Sequence, residues 1–139
     1  MKVSVYDVLS DDAKLIRKQV FMEEQGFENE FDDIDKKASH IVMYNEKEEP
    51  IATCRIFESD ERNEFIFGRL AVIASYRGMN IGTDMIREAE KVVLKKGGTS
   101  ILLHAQCRVK SFYEKLGYTA YGEIDDDEGC PHIWMSKQV

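Results

Sequence analysis

The chain has no long apolar run, only two prolines among 139 residues, and three scattered cysteines. No stretch approaches the roughly 18 apolar residues of a membrane-spanning helix, so we expect no membrane association. The scarcity of proline, together with 43% hydrophobic residues, argues against a disordered chain. Cys54, Cys107 and Cys130 form no Cys-x-x-Cys pair, and this usage is typical of a protein in the reducing cytoplasm.

Two classes of ligand lack their usual signals. There is no run of five Lys or Arg residues, and the formal net charge is −7, so we expect no nucleic-acid partner, which would require a basic patch. There is also no His-x-x-x-His or Cys-x-x-Cys spacing, so we expect no metal. A metal-dependent hydrolase, which would draw on three histidines, three cysteines and many carboxylates, is the weaker alternative.

Hydrophobic patterning predicts one domain over residues 1–139 with a mixed α/β fold. Ser10 is a good N-cap for a first helix over about 11–25, and residues 26–38 indicate a loop with a short helix. A helix should run from Ile81 to the Gly97-Gly98 stop, and a short one over 109–116. Strands are predicted at 2–8, 39–45, 50–59, 64–73, 99–105, 118–124 and 131–137. The strand at 64–73 should be central, and it should pair in parallel with 99–105 across the helix between them.

A glycine-containing turn joins the central strand to that helix, in the run Arg77-Gly78-Met79-Asn80-Ile81-Gly82. The first turn of a helix has unpaired N–H groups and a partial positive charge, which suit a phosphate or pyrophosphate. Gly78 and Gly82 let a ligand approach the backbone, and Asn80 tolerates a left-handed φ. The alternative is a plain turn that uses glycine only for its geometry, and the loop alone does not choose between them.

This run resembles the pyrophosphate loop of the GNAT superfamily of acyl-CoA-dependent N-acetyltransferases, which has the form Arg/Gln-x-x-Gly-x-Gly/Ala. Asn80 stands where the family usually has glycine. A second segment, "QCRVKSFYEKLGY", resembles the family's Asn-x-x-Ala-x-x-Leu-Tyr-x-Lys-x-Gly-Phe pattern, with Gln106 in place of the asparagine. The flanks "IRKQVFMEEQ", "SHIVMY" and "EGCPHIWM" resemble the ElaA-like branch of the superfamily.

The resemblance implies a GNAT-like fold with a central mixed sheet of about six to seven strands and about four helices. It implies acetyl-CoA as cosubstrate, with pantetheine along Leu70, Ala71 and Val72. The pyrophosphate would bind at Arg77, Gly78, Met79, Asn80, Ile81, Gly82 and Thr83, and Gln106 and Phe112 would complete the site. Tyr113 matches the tyrosine that protonates the departing thiolate in many relatives. It also belongs to an apolar stripe with Val109, Phe112 and Leu116, so we expect it to serve both as core and as catalyst.

The sequence does not identify the residue that acts as general base. The candidates share a titratable side chain near the expected site: Glu23, Glu24, Asp35, His40, Glu58, His104 and His132. Glu24 and His132 rank first because they lie in segments that match the ElaA-like branch. Cys107 has no recognisable His and Asp partners, so we interpret it as structural.

The resemblance implies direct acetyl transfer to a primary amine in a ternary complex. The acceptor is a small-molecule amine or a peptide amine, and a homodimer is possible. The alternative is a non-catalytic acyl-CoA-binding module acting as a sensor or regulatory subunit, which Asn80 and Gln106 favour as departures in two cofactor motifs. Retention of Tyr113 favours the enzyme.

Overall fold

The computed structural model describes all residues from 1 to 139 as a seven-stranded sheet with three α-helices. The strands are β1 (Lys2–Tyr6), β2 (Ser39–Tyr44), β3 (Pro50–Glu58), β4 (Glu64–Val72), β5 (Ser100–Gln106), β6 (Thr119–Asp127) and β7 (Cys130–Gln138). The helices are α1 (Asp11–Arg17), α2 (Ile81–Lys95) and α3 (Lys110–Lys115), with short 3-10 turns at Asp33–Lys36, Ala74–Tyr76 and Cys107–Val109. The predicted α/β class and order of elements are confirmed, with three α-helices instead of about four.

The first helical segment changes its hydrogen bonding partway along. Ser10 caps it as predicted, since its side chain accepts a hydrogen bond from the Ala13 N–H at 3.2 Å. The α-helix ends at Arg17, and a π-helix continues over Lys18–Glu24. The predicted helical segment is therefore present to its expected end, but the prediction that it is an α-helix throughout is wrong. Hydrophobic spacing reports a buried face and not the partner of each N–H, so it does not distinguish the two forms.

The sheet has the strand order β1-β2-β3-β4-β5-β7-β6. All neighbouring strands are antiparallel except β4 and β5, which are parallel and are joined by α2. The predicted parallel step and the central position of β4 are both confirmed. This arrangement places the carboxyl ends of β4 and β5 and the start of α2 at one side of the sheet, where open α/β sheets bind ligands.

Two apolar clusters cover the two faces of the sheet. One contains Met85 and Ile86 of α2 against Ile41, and the other contains Ile16 of α1 against Val42. Neighbouring residues of a strand point to opposite faces, so adjacent β2 positions contact different helices. Each fully buried large apolar side chain stabilises the fold by about 1.5–3 kcal/mol. The sheet is therefore a rigid base for the loops at its edge.

The last hairpin is longer than predicted. The sequence pattern predicts a strand only to residue 124, but β6 continues to Asp127, which is opposite Cys130 of β7. Glu128 and Gly129 form the two-residue turn and have φ values of +50° and +80°, as a tight hairpin turn requires. Because β6 is an edge strand, its carboxylates stay in water while its backbone pairs. No helix is long and apolar enough to span a bilayer.

Candidate active site

The two central strands separate halfway along their length. Parallel pairing of β4 with β5 runs from Glu64 opposite Ser100 to Phe67 opposite Leu103. Beyond that point β4 continues to Val72 and β5 to Gln106 without pairing to each other. The separation leaves backbone groups of both strands available to a ligand lying between them.

A bulge in β4 lies at the start of this opening. On the edge away from β5, β4 pairs with β3, and Thr53 lies opposite Ala71 and Arg55 opposite Gly68. Cys54 therefore lies opposite two residues, Arg69 and Leu70. Arg69 has a φ of +54°, which is unusual for a residue other than glycine. Bulges of this kind bend a strand and redirect a side chain, and they are frequent beside active sites.

The opening forms a cleft of about 720 Å³. This is within the range of roughly 300–1,000 Å³ for small-molecule sites. With one exception, the residues predicted to bind the cofactor or to act in catalysis line it: Glu24, Leu70, Ala71, Val72, Arg77, Gly78, Asn80, Ile81, Gly82, Thr83, Gln106, Phe112, Tyr113 and His132. The exception is Met79, whose side chain is 54% exposed and which is not among the lining residues. Residues distant in sequence thus converge on one site.

The predicted anion loop forms the start of α2. Asn80 has a φ of +63° and Gly78 a φ of +79°, so both take left-handed backbone conformations. The Asp84 N–H already bonds the Asn80 carbonyl at 3.1 Å, whereas the N–H groups of the preceding helical residues lie before the first intrahelical bond. A Cβ on Gly82 would lie 3.3 Å from the Phe112 ring. Glycine therefore allows α2 and α3 to approach closely at this wall.

Arg77 is already paired within the chain. Its Nη2 donates to Oε1 of Glu24 at 2.8 Å, and its Nε donates to the Val72 carbonyl at 2.9 Å. The hydrogen bond from Arg77 holds the pKa of Glu24 below its ordinary value. Lowered basicity makes Glu24 a weaker proton acceptor, although it does lie in the cleft.

Tyr113 lies at the base of the cleft and in the apolar core. It is 8% exposed and packs edge-on against Phe112, with ring centroids 5.1 Å apart. Burial raises the pKa of Tyr113, so the phenol keeps its proton at neutral pH. A protonated hydroxyl at this place is suited to donating a proton.

His132 is buried and its orientation is defined by one hydrogen bond. Its Nδ1 is 2.7 Å from the Cys130 carbonyl oxygen, which can only accept. Nδ1 therefore carries a proton, and Nε2 makes no hydrogen bond within the protein. The ring lies 4.7 Å from that of His104, whose Nε2 is 2.7 Å from Oδ1 of Asp125. Two histidines thus border the cleft.

Gln106 links the two sides of the opening. Its amide donates to Oε1 of Gln25 at 2.9 Å and accepts from Nε of Arg108 at 2.7 Å. The first bond connects the end of β5 to the end of the π-helix. Gln25 also lines the cleft and was not among the predicted site residues.

Four candidate bases lie elsewhere. Glu23, Asp35, His40 and Glu58 do not line the cleft. Asp35 accepts hydrogen bonds from Arg17 and Arg55, and the buried Nε2 of His40 donates to the Asp35 carbonyl at 2.9 Å. Both residues therefore stabilise the loop between the first helical segment and β2.

A buried ion network lies beneath this loop, and sequence reasoning did not find it. Arg17 contacts Glu30 at 2.7 Å and Asp35 at 2.8 Å. Arg55 and Arg69 add further contacts to the same loop. Glu30 and Arg69 line the cleft. The acidic run of residues 28–35 resembles a solvated surface in the sequence, and only the buried arginines on other elements reveal its role.

The cysteines and carboxylates form no metal centre. No group of three or more His, Cys, Asp or Glu residues has the arrangement of a metal site. Cys54 is fully buried, and burial raises the pKa of its thiol. Cys107 begins the 3-10 turn after β5.

Comparison with known proteins defines the family. The model of the acetyltransferase (GNAT) domain matches residues 8–139, so the chain belongs to the GNAT acetyltransferase family. The chain is 32% identical over 129 residues to YjcF of Bacillus subtilis, described as an uncharacterized N-acetyltransferase, covering 91% of this chain and 90% of the relative. It is 28% identical over 129 residues to the ElaA protein of Escherichia coli, covering 89% and 84%.

Solved structures give the same result. The crystal structure of Escherichia coli ElaA superposes with a TM-score of 0.83 at 25% identity, covering 98% of this chain and 99% of that chain. An aminoglycoside 6′-N-acetyltransferase in complex with coenzyme A superposes with a TM-score of 0.75 over 99% and 97% of the two chains. Its identity of 19% supports a shared fold only. The predicted GNAT membership and resemblance to ElaA are confirmed.

Proposed function

We propose that this protein is an acyl-CoA-dependent N-acetyltransferase that moves an acetyl group from acetyl-CoA directly to a primary amine. One observation carries the proposal: the separated ends of β4 and β5 and the N-terminal turn of α2 open into the same cleft. A thioester between the strands and a pyrophosphate at the helix would be joined by pantetheine along β4. Family membership and the coenzyme A complex of a protein with the same fold support this arrangement.

In this proposal the anion loop holds the cosubstrate. The free N–H groups of Ile81, Gly82 and Thr83 donate to the pyrophosphate, and the partial positive charge of the α2 N-terminus stabilises it. Asn80 and Gly78 supply the left-handed backbone of the turn that precedes these N–H groups. Leu70, Ala71 and Val72 border the pantetheine on the unpaired edge of β4.

The transfer requires a neutral amine and a proton for the leaving group. His132 Nε2 takes a proton from the ammonium form of the acceptor, and the amine nitrogen then attacks the thioester carbon. Backbone N–H groups at the strand opening stabilise the oxygen of the tetrahedral intermediate. When the C–S bond breaks, the Tyr113 hydroxyl gives its proton to the coenzyme A thiolate. The amine nitrogen then loses its second proton to the Tyr113 oxygen, which leaves a neutral amide and a neutral phenol, and His132 releases its proton to water. No covalent enzyme intermediate forms.

The non-catalytic alternative has one structural observation in its favour. Arg77 and Gln106, both in cofactor motifs, already make hydrogen bonds within the chain. A protein that bound acyl-CoA through the loop but released no thiol in the presence of any amine would match this alternative. Thiol release therefore separates an enzyme from a binding module.

The first experiment, before the thiol-release assay, is isothermal titration of acetyl-CoA and coenzyme A into the wild-type protein and Gly82→Trp. An indole at Gly82 would displace Phe112 and cover the loop, because even a Cβ there lies 3.3 Å from the ring. We expect micromolar binding that the variant loses, with both proteins folded by circular dichroism. Absence of binding by the folded wild type would overturn the proposal. Equal binding by the variant would mean that the cosubstrate binds at a site other than this loop.

A further inference from the structure

Arg69 is placed in the cleft by the bulge of β4. The pairing of β4 with β5 ends at Phe67, and Arg69 follows Gly68 in the unpaired part of β4. Arg69 has a φ of +54° and lies in the bulge opposite Cys54. Its side chain is 26% exposed and lines the cleft. Maintaining a left-handed arginine costs free energy, which the surrounding structure must offset.

Its guanidinium is only partly satisfied by the protein. Nε donates to the Glu30 carbonyl at 3.2 Å and lies 3.1 Å from Glu30 Oε2. Nη2 makes a long contact of 3.4 Å with Asp32 Oδ2, and Nη1 has no partner. Nη1 is not sealed from solvent, because Arg55 Nε is the one fully buried side-chain nitrogen or oxygen without a hydrogen bond. Arg69 therefore has a free donor that is not sealed from solvent, on a side chain that lines the cleft.

The charges around Arg69 balance without a ligand. The network contains three arginines and three carboxylates: Arg17, Arg55, Arg69, Glu30, Asp32 and Asp35. Burial lowers the pKa of Arg69 in spite of the neighbouring Glu30 carboxylate. The cation is therefore less well stabilised than it would be in water, and a ligand anion at Nη1 would improve its environment.

Building on the proposed function, we propose that Arg69 binds a carboxylate of the acyl acceptor. The acceptor is then an amine that also carries a carboxylate, namely an amino acid or a short peptide. Its carboxylate accepts from Nη1 of Arg69, and its amine reaches the thioester at the opening beside Arg69. Arg69 selects the substrate and takes no part in proton transfer.

A carboxylate fits this position better than a phosphate. Oε2 of Glu30 lies 3.1 Å from Arg69 Nε, and Asp127 and Glu128 also line the cleft. A phosphate carries about −1.5 to −2 charges at neutral pH and would be repelled more strongly by these carboxylates than a single-charged group. A polyamine would use Asp127 and Glu128 and would leave Arg69 Nη1 unpaired.

The test compares acceptors that differ only in the carboxylate. Thiol release from acetyl-CoA is measured with phenylalanine against phenethylamine and lysine against cadaverine, with phosphoethanolamine and spermidine as further probes. We expect the wild type to prefer the carboxylated member of each pair by about 10- to 100-fold in kcat/KM, the range for a hydrogen bond between charged groups. Arg69→Met should abolish the preference, because only the carboxylated member of each pair loses a contact, whereas any change in the ion network affects both members alike.

The matched control is Arg62→Met, an exposed arginine in the turn between β3 and β4 that does not line the cleft. It should keep the wild-type preference. Arg69→Lys should keep part of it, and it preserves the charge beside Glu30 if the methionine variant is unstable. Equal use of both members by the wild type, persistence of the preference in Arg69→Met, or better use of phosphoethanolamine or spermidine would each overturn the inference.

Failure of the proposed function is separable from failure of this inference. If coenzyme A binds but no amine releases thiol, N-acetyl transfer is wrong. Titration of phenylalanine and phenethylamine into the protein with coenzyme A present then decides the role of Arg69. Binding of phenylalanine alone, lost in Arg69→Met, would support the carboxylate site, and absence of binding would overturn it.

Discussion

Arg77 and Glu24 lie 53 positions apart in the sequence and form a two-point ion pair at one wall of the cleft. The pair neutralises the charge of Arg77 before any ligand binds. Both side chains are about two-fifths exposed, at 41% and 40%, so water screens the interaction. Competition between Glu24 and an anionic ligand for the same guanidinium follows from this geometry.

Glu24→Gln should tighten coenzyme A binding by about threefold, a small effect because water screens an exposed ion pair. The change removes the carboxylate that competes with the pyrophosphate for Arg77. Isothermal titration measures it, and Glu23→Gln is the control because Glu23 is exposed, outside the cleft and carries the same charge. Weaker binding by Glu24→Gln would mean that the pair serves to orient Arg77.

Asn80→Gly should keep coenzyme A binding within about twofold, because glycine adopts the left-handed conformation of Asn80 at no steric cost. Asn80→Ala should lower the free energy of unfolding by about 1 kcal/mol, since alanine is strained at a φ of +63°. Urea unfolding of both variants checks this. Equal stability of the alanine variant would show that the loop relaxes to another backbone conformation.

The anion loop could be predicted because its determinants are local. Glycine and asparagine between a strand and an amphipathic helix indicate the backbone of Gly78 and Asn80 without knowledge of any partner. The central position of β4 and its parallel pairing also follow from element order and hydrophobic patterning. The loop depends on residues that are neighbours in the sequence, and the strand pairing depends on the usual handedness of a strand-helix-strand connection.

The ion network could not be predicted, because its partners come from separate elements. Asp35 is held by Arg17 and Arg55, at separations of 18 and 20 positions. An acidic segment is most often exposed to solvent, and the sequence of residues 28–35 does not show that two arginines from other elements are buried beneath it. The bulge that redirects Arg69 has the same origin, since it depends on the register between β3 and β4.

Stability should fall in acid through Asp35. Against the desolvation that burial imposes, hydrogen bonds from Arg17 and the Asp32 N–H lower the pKa of Asp35 to about 2. The folded state therefore binds this proton less readily than the unfolded state. The stabilisation is complete well above the ordinary pKa of 3.8 and is lost as the pH falls toward 2, amounting to about 2 kcal/mol.

Urea unfolding at a series of pH values measures this dependence. Asp35→Asn should lose about 3–5 kcal/mol near neutral pH, because two buried arginines lose a partner, and its acid dependence should be shallower. Asp33→Asn is the control, with a side chain that is 99% exposed. Burial raises the pKa of Glu30, which acts in the opposite direction and reduces the total slope. An unchanged slope in Asp35→Asn would assign the acid sensitivity to other groups.

Tyr113→Phe should lower kcat by about 100-fold or more while leaving stability nearly unchanged, since general acids contribute roughly 10²- to 10⁴-fold. The phenylalanine ring keeps the packing against Phe112 and loses only the proton donor. Tyr118→Phe is the matched control: its hydroxyl donates to Glu90 at 3.0 Å, so this variant should lose about 1 kcal/mol of stability and keep its activity. Full activity of Tyr113→Phe would make the residue a core residue only.

His132→Asn separates the two nitrogens of the histidine. The asparagine amide can occupy the place of Nδ1 and donate to the Cys130 carbonyl, which His132 contacts at 2.7 Å, while no atom replaces Nε2. We expect near-wild-type stability with kcat/KM reduced by about 100-fold or more at neutral pH. The loss should shrink at high pH, where the free amine no longer needs a base. A uniform loss across the pH range would indicate misplacement of the acceptor, and activity within a few-fold of wild type would mean that water deprotonates the amine without His132.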